Sequence, residues 1–348
     1  MSSSRRRARS RPALARAGVE RQQGRTCADT CDIVRRPETE ANVPAIHITV
    51  PATTANLGAG FDTLGLALEL RNEVWLRRAP APGVHYRVEG EGAADAARTP
   101  RANLFDRVLR RSLKRLGVAV PALDVRMLNR IPWRRGLGSS SAAAVAGAAA
   151  ALRIAGRDVD AQAVLDLALP FEGHPDNLAP AVAGGFTVAA LEGSHARFVR
   201  LDPPRLVACA LVPSFGVSTE EARKLLPTSV SIGDAVHNLT RAALAVAAMT
   251  AGRYELLDLA TDDRLHQPYR APLVTGFEAV RRAARRAGAV ASFLSGSGPT
   301  ILALVAPNAA ADVQAAMERA WRRHGRDAAR CMRLAAARRG VVLRGALD

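Results

Sequence analysis

The chain has 348 residues, 48% of them apolar and 23% charged, with a mean hydropathy of -0.01. That is enough apolar material for two domains with cores, and it excludes a chain disordered throughout. The net charge of +17 invites a nucleic-acid reading, yet 47 of the 49 basic residues are arginines, Lys114 and Lys224 being the rest. With aromatics at only 4%, arginine reads as a chain-wide replacement for lysine on solvated faces, not as a binding stripe. The longest run of low polarity, Ala142 to Leu152, is about half of the roughly 20 residues a membrane-spanning helix needs.

Residues 1–45 are Arg- and Ser-rich and acid-poor, without the apolar run of a secretory signal, so they are set apart as a disordered or transit-like extension. Cys27 and Cys31 fall there, with no second Cys/His pair at zinc spacing; Cys209 and Cys331 lie in apolar segments and read as small core residues. Nothing suggests a disulfide scaffold, and the cytoplasm is the expected compartment.

Ordered structure is expected from Ile46, where Ile46–Val50 alternates like a half-buried strand, followed by strands at Glu73–Leu76 and Val84–Val88. Leu104, Val108, Leu109, Leu113 and Leu116 recur at helical spacing, predicting a helix from Asn103 to Leu116 that Gly117 stops. A strand at Leu123–Met127, an Ala-rich helix from about Ser140 to Ile154 and a strand at Val207–Val212 follow. The second half reads as helices near Asp234–Thr250, Leu273–Ala287 and Ala309–His324, with strands at Val290–Leu294 and Ile301–Val305. Strands and helices mix without a regular β-α repeat, which favours an α+β fold. A boundary near residue 205, at Asp202-Pro203-Pro204, divides the chain into domains at 46–205 and 206–348.

Three glycine- and serine-rich segments carry the chemistry: Pro51–Asp62 after a strand, Ile131–Ala142 running into a helix, and Leu294–Thr300 between two strands. In the second, a Gly-x-Gly-Ser-Ser turn opens a helix whose first N–H groups lack intrahelical partners, a generic phosphate cradle. Its bland alternative is a serine N-cap. A P-loop is excluded because neither lysine follows a glycine, and the dinucleotide fingerprint fails because its third glycine is replaced by Thr63, Ser141 or Ile301. Phe171–Asn177 gathers Glu172, His174, Asp176 and Asn177, where hard carboxylate oxygens suit Mg²⁺ better than Zn²⁺. Read locally, the same residues also make a capped surface loop. Arginine forks in Ser218–Arg223 and Asp263–Arg270 match a carboxylate or phosphate.

Together these segments resemble the GHMP kinase superfamily. Pro132–Ala142 is similar to its nucleotide motif Pro-x-x-x-Gly-Leu-Gly-Ser-Ser-Ala-Ala, with Ser141 where alanine is usual. Thr54–Asp62, Glu172–Asn177, Ser218–Arg223, His266–Arg270 and Ser295–Thr300 resemble the homoserine kinases within it, in order, across about residues 46–340. The resemblance implies a two-domain fold, with a ribosomal-protein-S5-like N-terminal ATP-binding domain and a ferredoxin-like α/β sandwich as C-terminal domain. It also implies ATP-dependent phosphorylation of the side-chain hydroxyl of L-homoserine, a step of threonine biosynthesis, in a family that is commonly homodimeric.

By the same resemblance, Pro132, Trp133, Arg134, Arg135, Gly136, Leu137, Gly138, Ser139, Ser140, Ser141 and Ala142 wrap the ATP phosphates, with Asn103 near the adenosine. Ser140 and Glu172 hold Mg²⁺. Asn56, Asp62, His174, Asp176, Asn177, Thr219, Arg223 and Arg270 surround homoserine, and Asn56, Asp62 and Arg223 act at the reacting centre. Homoserine is a zwitterion, so its ammonium calls for Asp62 or Asp176 and its carboxylate for Arg223 or Arg270. No lysine falls in a motif, so the hydroxyl is expected to be aligned by hydrogen bonds, with a general-base role for Asp62 as the rival. An RNA-binding reading is disfavoured because Glu172 and Asp176 beside the phosphate turn would repel a nucleic-acid backbone.

Overall fold

Two sheets organise the chain, and the computed structural model describes residues 45–94 and 103–347. The extension expected over 1–45, with Cys27 and Cys31, lies outside the described residues except for Ala45. The first sheet is built from β1 (Ile46–Ala55), β2 (Leu64–Arg78), β3 (Val84–Gly90), β4 (Leu123–Asn129), β5 (Phe186–Glu192) and β6 (His195–Leu201). The second holds β7 (Val207–Pro213), β8 (Ala289–Leu294), β9 (Ile301–Val305) and β10 (Ala329–Ala335); β11 (Val342–Arg344) then returns to pair with β1. The orders are β11-β1-β2-β4-β3, with β5 on β2 and β6 on β5, and β10-β7-β9-β8. Among the described residues the β3–β4 pair alone is parallel. The expected boundary at 205/206 falls where the chain passes from the first sheet to the second.

Four helices, α1 (Leu104–Arg115), α2 (Ser139–Ile154), α3 (Ala161–Glu172) and α4 (Pro175–Ala183), bury their apolar faces against the first sheet. Alanine is the main packing residue of α2, which lets its neighbours come close. A Cβ on Gly147 would stand 2.7 Å from the Phe105 carbonyl, so α1 and α2 touch backbone to backbone. Further on come α5 (Thr219–Lys224), α6 (Ile232–Ala251), α7 (Leu257–Ala260), α8 (Gln267–Arg270), α9 (Phe277–Arg286) and α10 (Ala310–His324). Helices α9 and α10 cover one face of the second sheet, where Phe277, Val280, Val313, Met317 and Trp321 meet Cys209, Leu211 and Ile301. The other face, with Ala208, Ala210, Leu302 and Leu304, joins the first core together with Met249, Leu257 and Ala260. Coverage on both faces is why β7 and β9 read as unbroken apolar runs.

The strand expected at Glu73–Leu76 is the far half of β2, a 15-residue strand. Asn72 interrupts its apolar face for a tertiary reason: buried Asn72 Oδ1 accepts from the N–H groups of Arg130 and Ile131, at 2.8 and 2.9 Å. That anchors the start of the second glycine segment. Phe171–Asn177 is not a surface loop. It is the end of α3 and the first turn of α4, broken at Gly173, which has φ +78.

Candidate active site

The three glycine segments meet at the start of α2. After β1, Asn56, Leu57 and Asp62 take positive φ values of 70, 45 and 56, unusual for residues with a Cβ. Asn56 sustains this bend: its Nδ2 donates to the Gly296 carbonyl at 3.1 Å, and its Oδ1 accepts from the Asp62 N–H at 3.0 Å. One amide thereby ties the first segment to the third. Gly136 and Gly138 have φ +76 and +70, and a Cβ on them would stand 2.3 Å from the Ser295 carbonyl and 1.9 Å from Thr53 Oγ1. Ser295 Oγ lies 2.6 Å from the Gly136 carbonyl and 2.8 Å from Thr54 Oγ1, closing the contact. Thr53 Oγ1 donates to Asn177 Oδ1 at 2.7 Å, so α4 is bound into the same cluster.

These turns enclose a cavity of about 280 Å³. Its wall includes Asn56, Asp62, Trp133, Arg134, Arg135, Gly136, Gly138, Ser139, Ser140, Ser141, Glu172, His174, Asp176, Asn177, Thr219, Arg223 and Arg270. Pro132, Leu137 and Ala142 are buried behind it and hold the turn in place. Asn103 does not line the cavity: its Oδ1 caps α1 through the Phe105 N–H at 3.0 Å and its Nδ2 lies 3.4 Å from Met127 Sδ. Val217, Ser218, Gly296 and Ser297 also line it; none was named as a site residue, although Ser218 opens the segment that ends at Arg223. Gly296 and Ser297 lie in the third glycine segment, which was the signal available.

Gly138 is the N-cap of α2, left-handed and without a side-chain cap, so the first N–H groups of the helix face the cavity uncapped. At the end of α3, Glu172 Oε2 accepts from Ser141 Oγ at 2.8 Å. Burial pushes the Glu172 carboxyl up, opposed by hydrogen bonds from Ser140 and Ser141. Asp62 and Arg223 form an ion pair at 2.7 Å, with His174 Nδ1 3.7 Å from the same carboxylate. Burial lowers the pKa of His174 against that attraction, favouring the neutral ring.

Two charges are left over. Arg270 is 2% exposed and lies over the Phe61 ring at 5.2 Å, touching only neutral acceptors; burial lowers its pKa to about 10. Asp176 is buried, accepts from the Asn177 N–H at 2.9 Å, and pairs with no cation among the described residues. Burial, reinforced by the charge of Asp62, pushes its carboxyl up to about 7.

A glycine turn opens a helix beside two charges without ionic partners among the described residues, an arrangement suited to anionic phosphate, and the comparisons give the class as a GHMP kinase. The model of the GHMP kinase N-terminal domain matches residues 103–185, and that of the GHMP kinase C-terminal domain matches 245–323. A homoserine kinase of Streptomyces avermitilis is 47% identical over 272 residues, spanning 77% of this chain and 88% of that protein. One from Streptomyces coelicolor is 45% identical over 281 residues, or 80% and 90%. The crystal structure of homoserine kinase from Cytophaga hutchinsonii aligns with a TM-score of 0.78 at 28% identity, covering 86% of this chain and 98% of that one. The chain belongs to the homoserine kinase family of GHMP kinases.

The shifted carboxyl yields a stability prediction. Between its ordinary pKa of 3.8 and about 7, Asp176 binds its proton in the folded state and releases it in the unfolded one. Stability therefore falls as pH rises through that window, by at most about 4 kcal/mol from this group. Urea titrations from pH 4 to pH 8 should show the decline in the parent chain and a flatter curve in Asp176→Asn.

Proposed function

We propose that the cavity binds L-homoserine beside the phosphates of ATP. The activity is ATP-dependent phosphorylation of the homoserine side-chain hydroxyl, giving O-phospho-L-homoserine and ADP for threonine biosynthesis. The observation that carries the reading is the pattern of charge pairing. Asp62 and Arg223 neutralise each other, whereas Asp176 and Arg270 have no ionic partner among the described residues. A small zwitterion supplies both missing partners, its ammonium to Asp176 and its carboxylate to Arg270. Each charge-assisted bond contributes roughly 1.5–3 kcal/mol.

The N–H groups of Ser139, Ser140 and Ser141 bind the phosphates at the positive end of α2, with the Ser139 hydroxyl as a further donor, while the Ser141 hydroxyl stays on Glu172. Trp133, Arg134 and Arg135 line the approach. Glu172 and Ser140 are hard oxygen donors, no cation lies against the carboxylate among the described residues, and they would hold Mg²⁺, which neutralises phosphate charge when bound. Asn56, Arg223, Asn177 and Thr219 orient the hydroxyl and the transferred phosphoryl group for in-line attack, and neutral His174 adds a hydrogen bond. Phosphoryl transfer depends mainly on such positioning and charge neutralisation. With Asp62 held in its ion pair, the hydroxyl proton leaves late, to an oxygen of the phosphoryl group itself.

Three further parts belong to this reading. The domains are 46–205, which binds ATP, and 206–348, with the two matched family models falling one on each side of the boundary. The partner is a second copy of the chain, supported by an exposed apolar stripe on α6 in which Ile232, Val236 and Leu239 are 81%, 52% and 70% exposed. No described helix is long and apolar enough to cross a membrane, which is compatible with the cytoplasm.

ADP release measured with homoserine, mevalonate and galactose side by side should depend on homoserine; folded protein indifferent to it would refute the assignment. In Asp62→Asn, homoserine KM should rise while kcat at saturation changes less than about tenfold, since loss of a general base removes about 10²–10⁴-fold. A collapse of kcat would identify Asp62 as the base. Light scattering should report two chains per particle, and Leu239→Arg should return one.

A further inference from the structure

Behind the cavity wall lies a buried group that the reaction does not touch. His266 is fully buried at the start of α8, its ring stacked on Phe61 with centroids 5.0 Å apart. Nε2 lies 2.8 Å from the Gly58 carbonyl and 3.4 Å from Asp263 Oδ2. Nδ1 lies 3.4 Å from Arg270 Nη1.

The protons can be assigned from these partners. Both neighbours of Nε2 are acceptors. The Asp263 carboxylate already accepts from Asn238 Nδ2 and from the N–H groups of Leu265, His266 and Gln267, at 2.6 to 3.1 Å. The Nε2 proton therefore donates to Gly58. Arg270 can only donate, so Nδ1 must be the bare lone pair that accepts from it. Burial lowers the His266 pKa and keeps the ring in this neutral form.

Arg270 needs such an acceptor. Its other bonds within the chain are to the Ala222 carbonyl from Nε at 3.4 Å and to the Gly296 carbonyl from Nη1 at 3.3 Å, and Nη2 makes none among the described residues. Every acceptor it bonds among the described residues is neutral, so no carboxylate contacts the guanidinium directly, and Asp62, Asp263 and Asp176 act on it only through space. An aspartate at position 266 would hold it as well and cancel its charge; a neutral imidazole does not.

We propose that His266 is a positioning residue for homoserine binding: as a neutral acceptor it fixes the Arg270 guanidinium while leaving its charge for the substrate carboxylate. The inference rests on the assignment of Arg270 to that carboxylate. Its geometry also links the site to the first glycine segment, because the same ring holds the Gly58 carbonyl.

Two conservative variants separate the two bonds. His266→Gln can still reach the Gly58 carbonyl but offers nothing at the Nδ1 position, whereas His266→Asn keeps an acceptor there and loses the reach to Gly58. The readouts are KM for homoserine, KM for ATP, kcat, and the preference for homoserine over 3-aminopropan-1-ol, which lacks the carboxylate. His266→Gln should raise homoserine KM about tenfold and narrow the preference similarly, with ATP KM and kcat within about twofold. His266→Asn should recover most of the loss, and His266→Gln should add nothing in an Arg270→Ala background. If both KM values rise together, or Asn is as impaired as Gln, the residue is merely structural and the proposal is overturned. If Arg270→Ala leaves the preference unchanged, the carboxylate assignment falls with it. A collapse of the preference in Arg270→Ala with none in His266→Gln overturns the positioning role alone.

Discussion

Backbone contact among three turns is the constraint from which the site follows. Gly136 and Gly138 pass so close to Ser295 and Thr53 that a single added carbon at either would sit inside van der Waals contact. Only because those carbons are missing can the second segment fold under the third and present the uncapped start of α2 to the cavity. Asn72 fixes the beginning of that turn from within β2, and Asn56 fixes the neighbouring turn to Gly296. Side-chain amides buried far from one another in sequence thus hold the uncapped N–H groups of α2 in place, and neither Lys114 nor Lys224 lines the cavity.

Charge pairing then divides the labour among residues of the same type. Asp62 and Asp176 are both carboxylates on the wall, and Arg223 and Arg270 are both guanidinium groups. The Asp62–Arg223 pair is closed on itself at 2.7 Å, while the other two are buried without an ionic partner among the described residues, which carries a desolvation cost. The upward shift of Asp176 and the downward shift of Arg270 are both led by burial, as for charges held out of water without an ion-pair partner.

Much of this was legible in the residues, and what was not has identifiable causes. β9 lies where its apolar run put it, Ile301–Val305, and α1 and α2 differ from expectation by a residue at their ends. β5, β6, β10 and β11 were not expected: β6 and β10 carry exposed arginines on a face that periodicity reads as loop, and β11 is only three residues long, whereas β3 and β4 were found despite Arg87 and Arg126. The long β2 was seen only in part because Asn72 serves a distant turn. At the site, seventeen predicted residues line the cavity, yet the choice between the two aspartates and between the two arginines was not available from sequence. Their pairing depends on a contact across 161 residues, which composition and spacing do not encode. Val217 is ordinary in sequence and becomes cavity wall only through the fold, whereas Ser297 was signalled only as a member of the third glycine segment.

The central claim is that amides at the start of α2 hold the phosphates while Arg270 and Asp176 divide the charges of the amino acid. A crystal structure with a non-hydrolysable ATP analogue and homoserine tests it most directly. The account predicts phosphate oxygens within hydrogen-bond distance of the Ser139–Ser141 N–H groups, the substrate carboxylate on Arg270 and its ammonium on Asp176. A nucleotide seated elsewhere, or a homoserine whose carboxylate contacts Arg223 while Arg270 stays unliganded, would contradict it.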